Sequence, residues 1–541
     1  AAEMRERVEK LLPGEGNSVW VSTFHSMCLR ILRREIEHLG YNRDFSIYDT
    51  DDQRTLMRQI LKGLNIDSKT LRERAVLSQI SQTKNRGGNA EDYLSESDGD
   101  YLSKLIYQCF KRYEEKLKEN NALDFDDLLL KTLELFERFP EVLLQYQERF
   151  RYILVDEYQD TNDVQFHLVY LLAKKYQNIC VVGDDDQSIY RFRGANVENI
   201  LSFESHFPNC KVVKLEQNYR STARILKIAN KVIENNPKLF TKKLWSQFGE
   251  GEIVKVVACQ NEQHEADWVV SQIVKQKLVG SDKTQYADFA VLYRGNHQAR
   301  IFEEALRSAR VPYQLSGGQS FFDKAEIKDV LSYLRLLANP NDDPAFLRAV
   351  TTPKRGIGDV TLGKLNTYAH EHECSLYEAA QTEEALALLN HTNRQHLQAF
   401  MDMIENYRAK AETSEAGELI HNLLKEIDYE NHLLANEEGK AGEIKWRNVT
   451  DLTGWLERKG EQDGKNIIEL AQTITLMTLL EGKSEEEVDA VKLSTLHASK
   501  GLEYPYVFLV GCEEGILPHN DSIEEDNVEE ERRLMYVGIT R

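Results

Sequence analysis

Four times along this chain an apolar, β-branched run leads into a short polar or glycine-rich turn and then into a helix-patterned stretch. Tyr152-Ile-Leu-Val155 precedes DEYQDT and VQFHLVYLLAKK, and Ile179-Cys-Val-Val182 precedes GDDDQSIY. Val212-Val213 in CKVVKL precedes EQNYRST and RILKIANKVI, and Phe289-Ala-Val-Leu292 precedes YRGNHQARIFEEAL. Strands without polar alternation are those that a parallel sheet buries on both faces beneath covering helices. The pattern predicts an α/β core. Ser221-Thr222 is expected to cap the third helix, whose Ile225, Leu226, Ala229, Val232 and Ile233 form one stripe.

Long helix-patterned regions interrupt this core. Residues 41–148 contain LSKLIYQCFKRYEEKL, and residues 320–487 contain IKDVLSYLRLLANP, LIHNLLKEI and ELAQTITLMTLL. Strand patterns return at VDAVKLSTL and YPYVFLVG. The expected organisation is two parallel-sheet domains, 1–40 with 149–216 and 217–319 with 488–541, each carrying a mostly helical insertion, 41–148 and 320–487. Gly317-Gly318 and the charged EGKSEEEVD stretch are read as hinges around the second insertion. A length of 541 residues suits roughly three to five domains. AAEMRERVEKLL has helical spacing through Met4, Val8, Leu11 and Leu12, with no strand or cap before it, and YVGITR stops within a structured pattern; both predict a fragment of a longer chain.

Composition narrows the function. Hydrophobic residues at 41% and charged residues at 29% exclude wholesale disorder, and no apolar run has membrane-spanning length. No signal segment opens the chain. A formal charge of −21 excludes a uniformly basic surface but permits a local basic groove. Seven scattered cysteines with no CxxC pair disfavour disulfides and zinc, and predict a reducing cytoplasm. His25 and Cys28 are read as a satisfied helix-surface pair, since no second pair completes a metal site.

Asp156-Glu157 stands where an apolar strand ends, the place where open α/β sheets bind ligands. There an Asp can hold Mg²⁺ and a Glu can deprotonate water, or the pair can simply cap the next helix. SIYRFRG interleaves Tyr190 and Phe192 with Arg191 and Arg193, which suits stacking on unpaired bases with neutralisation of phosphates. Gly356-Ile357-Gly358 follows Lys354 and Arg355 and precedes a helix, a spacing that lets backbone N–H groups approach a phosphate and that equally makes an ordinary turn before a helix. LDFDDL (Leu123 to Leu128) reads as an acidic helix start, and the run Asp521 to Glu531 as a solvated face.

DEYQDT, GDDDQSIYRFRGA, LEQNYRS, TLHASKGLEYPYVF and EERRLMYVGITR, in this order, resemble the motifs of the superfamily 1 UvrD/Rep/PcrA helicases, and STFHS (Ser22 to Ser26) resembles an earlier DNA-contacting motif of that family. The resemblance implies two RecA-like domains, 1A and 2A, with insertions 1B and 2B, and ATP and Mg²⁺ as cofactors. It implies ATP-dependent 3′→5′ translocation on single-stranded DNA and unwinding at single-strand/duplex junctions during replication or repair. Asp156 would hold Mg²⁺ through water and Glu157 would activate the attacking water. Tyr219 would stack on adenine, Glu503 would contact the ribose, Gln187 would sense the γ-phosphate, and Arg220 and Arg541 would reach it. Thr23, Phe24, His25, Tyr190, Phe192, Arg193 and His497 would contact single-stranded DNA. Gly356, Ile357 and Gly358 would grip the duplex. Replication or repair proteins and a self-dimer on DNA are the implied partners, with no membrane.

Two departures qualify the resemblance. Phe192 stands where the family more often has Trp, which leaves a smaller stacking face. The GxxxxGK[ST] loop that cradles phosphates in the family does not occur in these 541 residues, so the piece by itself is expected to hydrolyse ATP barely. The other readings are a relative that binds nucleic acid without hydrolysis and the helicase part of a helicase–nuclease.

Overall fold

A computed structural model describes residues 2–14, 19–67, 70–191, 194–237, 240–279, 284–316, 324–436, 441–480 and 489–541. The chain divides into two compact units, residues 1–149 with 167–172 and 319–482, and residues 150–166 with 173–318 and 483–541. Both proposed hinges, Gly317-Gly318 and nearly all of EGKSEEEVD, lie outside the described residues, as do Phe192 and Arg193.

The first unit is helical, with one short parallel pair, Ser46–Ile47 beside Ala122–Leu123. Its larger core gathers Leu334, Phe346, Leu397, Ile404, Ile420 and Leu456 from helices between Ala325 and Leu480. A second core gathers Met57, Phe110 and Tyr113. The helix Phe24–Glu35 starts at an N-cap Thr23, whose Oγ1 accepts the Ser26 N–H at 3.3 Å. LDFDDL does start a helix, Phe125–Arg138, through a capping box in which Asp124 and Asp127 each accept the other's backbone N–H. Cys28 departs from the surface-pair reading: it is fully buried, and that burial pushes its thiol up to about 12.

The second unit carries the sheets. Four parallel strands lie in the order Tyr506–Leu509, Phe289–Tyr293, Val491–Thr495 and Tyr313–Ser316. The central strand Phe289–Tyr293 is buried at every position, as its unbroken apolar run predicts. Ile153–Val155 pairs in parallel with Ile179–Val181, but this pair is covered differently. Val155 points inward while Leu154 is 79% exposed, because successive side chains of a strand face opposite ways and only one face is packed.

The expected strand at Val212-Val213 is not formed. Residues 211–216 run without a ladder partner among the described residues, and Val213 is 65% exposed. The adjacent Gln217–Asn218 pairs instead with Trp245–Ser246. The following helix, Ala223–Ile233, forms with Leu226, Ala229 and Ile233 buried. Its capping also differs from expectation: Thr222 sits at the N-cap without a side-chain bond, and the Ala223 N–H donates to the Gly249 carbonyl at 2.8 Å. The run Asp521 to Glu531 is not wholly solvated, since buried Glu531 binds the Arg294 guanidinium at 2.8–3.2 Å. That ion pair ties the helix Val528–Ile539 to the turn after the central strand.

Candidate functional site

In the second unit, Asp156 and Glu157 follow directly on the strand Ile153–Val155. Glu157 has φ 50° and ψ 42°, a left-handed backbone that non-glycine residues adopt at a cost, and one concentrated at functional turns. Asp156 Oδ1 accepts the Glu157 N–H at 3.0 Å, and both carboxylates are exposed. Gln159 Nε2 donates to Glu157 Oε2 at 2.5 Å. The other end of the same amide accepts the Asp184 N–H at 2.9 Å, joining DEYQDT to GDDDQSIY. Gly183 permits this junction, since a Cβ there would sit 2.7 Å from Gln159 Oε1.

Gln187 lies in the next turn and receives Arg541. The Arg541 guanidinium donates from Nη2 to Gln187 Oε1 at 3.1 Å and from Nε to the Val537 carbonyl at 3.0 Å. Burial pulls the Arg541 guanidinium down to about 10; Arg220 adds to this, whereas Glu157 opposes it. Arg220 and Arg541 thus add like charge to this part of the unit. Such a paired positive field is suited to a polyanion. Arg220 donates from Nε to Glu503 Oε2 at 2.6 Å. Tyr219 beside it presents an unpacked ring, 74% exposed. Asn218 Oδ1 shapes this turn by accepting the Arg220 and Ser221 N–H groups at 2.9 and 2.7 Å.

Sequence reasoning missed Lys500, although it stands in the quoted TLHASKGLE. Its ammonium donates to Asp160 Oδ2 at 2.5 Å and to the Gln187 carbonyl at 2.7 Å, and lies 3.4 Å from Glu157 Oε2. Burial pushes the Asp160 carboxyl up to about 6, with Lys500 only partly offsetting it. Lys242 was also missed. It pairs with Asp184 and Asp185 and lies 3.2 Å from Asp186. Burial alone would lower its pKa, but the carboxylates outweigh burial and hold it above its ordinary value. Neither lysine adjoins an acidic run in the sequence, so no local signal marked it, and only folding decides which carboxylates it meets.

The structure thus brings Glu157, Gln187, Arg541 and Lys500 into one polar chain, with Arg220 and Glu503 beside it. Tyr190 joins the same unit, its hydroxyl donating to the His497 carbonyl at 3.0 Å with the rings tilted at 48°. The donor set fits a metal–polyphosphate. Two exposed carboxylates at a strand end offer oxygen ligands suited to Mg²⁺, and Lys500 stands 3.4 Å from one of them.

In the first unit, Thr23, Phe24 and His25 occupy the N-terminus of the helix Phe24–Glu35. His25 stacks on Phe125, with centroids 3.8 Å apart and planes at 16°. Gly356 has φ 73°, and a Cβ there would come within 2.9 Å of the His396 ring, so both conformation and space require glycine. Ile357 is buried and Gly358 is the N-cap of the helix Asp359–Glu371. Arg355 turns inward to the Ala349 and Pro353 carbonyls at 2.8 and 2.9 Å, which leaves Lys354 as the exposed cation of this element.

Residues 1–208 match the UvrD/REP helicase N-terminal domain, and residues 213–541 match the UvrD-like helicase C-terminal domain. With its parallel sheets and large helical regions, the chain is thereby an α/β protein of the helicase class. It is 44% identical to the ATP-dependent DNA helicase PcrA of Bacillus subtilis (strain 168), an alignment covering 100% of this chain and 74% of that protein. It is 45% identical to the ATP-dependent DNA helicase Rep of Escherichia coli (strain K12), covering 100% and 81%. A PcrA of Staphylococcus epidermidis is 41% identical over 100% of this chain and 74% of its own length. The chain belongs to the UvrD/Rep helicase family.

Proposed function

We propose that this chain is the motor of an ATP-dependent DNA helicase that moves 3′→5′ on single-stranded DNA and opens duplex at junctions during replication or repair. The observation that carries the reading is the polar chain from Glu157 through Lys500 and Gln187 to Arg541, in a chain of this family. Bound Mg²⁺–ATP supplies the γ-phosphoryl group and the metal charge that this chemistry needs.

Asp156 would hold the metal ion. Glu157 orients the attacking water and accepts its proton, and Lys500, 3.4 Å from its carboxylate, holds that group in place. Arg220 and Arg541 meet the charge that builds on the transferring group. Tyr219 gives its exposed face to the base, and Glu503 accepts from the ribose. Gln187, held by Arg541, carries the state of this site to the loop bearing Tyr190, Phe192 and Arg193.

Single-stranded DNA is gripped by Thr23, Phe24, His25, Tyr190, Phe192, Arg193 and His497. The Gly356-Ile357-Gly358 turn holds duplex. The domain arrangement is 1A (1–40, 149–216), 1B (41–148), 2A (217–319, 488–541) and 2B (320–487). The 541-residue piece, which contains no GxxxxGK[ST], turns over ATP far more slowly than a full-length protein that has one. The test is DNA-stimulated phosphate release and unwinding of 3′-tailed and 5′-tailed duplexes by the full-length protein. Unwinding of the 3′-tailed substrate alone is expected, and unwinding of only the 5′-tailed one would overturn the polarity. No DNA-stimulated phosphate release would favour the non-hydrolysing reading.

A further inference from the structure

The LDFDDL turn is built more elaborately than a helix start requires. Lys84, 1% exposed on the helix Glu73–Asn85, donates to Asp124 Oδ2 and Asp127 Oδ1, both at 2.7 Å. Tyr113 OH donates to Asp124 Oδ2 at 3.1 Å, and Ser81 and Asn85 bond Asp126 at 2.6 and 3.0 Å. Buried ion clusters contribute little net stability compared with an apolar filling, and their best-attested use is to fix register. Here every carboxylate of the turn is tied to the neighbouring helices. Phe125 is the residue of this turn whose ring leaves the cluster, and it lies flat against His25 at 3.8 Å and 16°. Further along the same two helices Cys28 and Thr132 are both fully buried, and Phe24–Glu35 and Phe125–Arg138 pack together beyond that single stack.

We propose that Phe125, set by the Lys84–Asp124–Asp127 cluster, is a positioning residue that orients the His25 ring for single-stranded DNA. The proposal rests on the reading of His25 as a DNA contact. The cluster fixes the first turn of Phe125–Arg138, that turn fixes the Phe125 ring, and the ring face leaves His25 one orientation about its side-chain axis. Thr23 and Phe24, next to it at the helix start, are placed by the cap instead. A preoriented contact loses less conformational freedom on binding than one that must be ordered by DNA.

The experiment measures the Kd of the full-length protein for a fluorescein-labelled oligothymidylate by anisotropy, together with half-saturating DNA and kcat for ATP hydrolysis. The proteins are wild type, His25→Ala, Phe125→Leu, Phe125→Met, Phe125→Tyr and the double variant His25→Ala/Phe125→Leu. Phe125→Leu is expected to raise Kd and half-saturating DNA roughly three- to tenfold, the factor an aromatic stack is worth, with kcat at saturating DNA retained. Phe125→Met is read in the same way and serves where Phe125→Leu does not fold. Phe125→Tyr restores wild-type affinity, and the double variant binds no more weakly than His25→Ala. Wild-type affinity in both Phe125→Leu and Phe125→Met, with His25→Ala weakened, would overturn the positioning role and leave the DNA contact standing. Full additivity in the double variant would overturn it as well. Unchanged Kd in His25→Ala would remove the DNA contact itself, and the proposal with it.

Discussion

Arg541 Nη2 donates to Gln187 Oε1 at 3.1 Å, joining VGITR to GDDDQSIY. The same loop reaches HASKGLE twice, through Lys500 to the Gln187 carbonyl and through Tyr190 OH to the His497 carbonyl. In the proposed function, a group that changes the seat of Arg541 would pull on the loop that carries the base-stacking aromatics. Such a link would couple hydrolysis to strand movement through the bonded pair rather than through two separate charges.

Arg541→Lys keeps the charge but loses the planar fork that reaches Gln187 and the Val537 carbonyl together. In the full-length protein kcat for ATP should fall by about 10³, the lower end of the effect of such an arginine. Phosphate release at saturating DNA measures it. A fall of less than about tenfold would deny Arg541 a role at the transferring group.

Glu157→Gln should cut turnover by about 10²–10⁴, the usual contribution of a general base, while binding of a fluorescent ATP analogue persists. The isosteric amide still fits the Gln159 contact. Retained turnover would remove Glu157 from that role.

Lys500→Met should change the dependence of stability on pH. Burial raises the Asp160 carboxyl to about 6, so its contribution is complete below its unfolded value and is lost as pH rises through the folded one. Without Lys500 the folded value moves higher still. Urea denaturation should then show the variant losing stability between pH 6 and pH 8 more steeply than wild type, and Lys500→Met/Asp160→Asn should abolish that extra slope.

His25 titrates in the opposite sense. Desolvation lowers its imidazole from 6.5 to about 3, so its contribution is complete above the unfolded value and is lost as pH falls toward the folded one. Replacement by Gln should flatten part of the acid-side loss of stability between pH 6.5 and pH 4, followed by denaturant midpoints. An unchanged pH profile would show that the ring is solvated.

Lys84→Met leaves Asp124 and Asp127 buried without their cation, which should cost about 3–5 kcal/mol in equilibrium denaturation. A loss below about 1 kcal/mol would mean that the cluster opens to water.

The α/β class, and the place of Asp156-Glu157 directly after the strand Ile153–Val155, could be read in advance because each lies in a local pattern, whereas Gln187, Arg220 and Arg541 were singled out by family resemblance alone. An apolar run, a turn and a stripe are settled within about a dozen neighbouring residues. The strand expected at Val212-Val213 failed because a strand needs a ladder, and no local pattern supplies the partner. Glu531 was read with its acidic neighbours as solvated, whereas it is buried on Arg294, more than two hundred positions away in the chain.

What the residue order determined by itself was which chemical groups stand at the ends of which strands and helices, since that follows from backbone propensity and spacing. What only the folded chain decided was pairing: Lys500 with Asp160 and Glu157, Arg541 with Gln187, Phe125 with His25. Charge attraction and ring stacking act over a few ångströms in space. Which distant residues come within that range is set by how the helices and sheets pack.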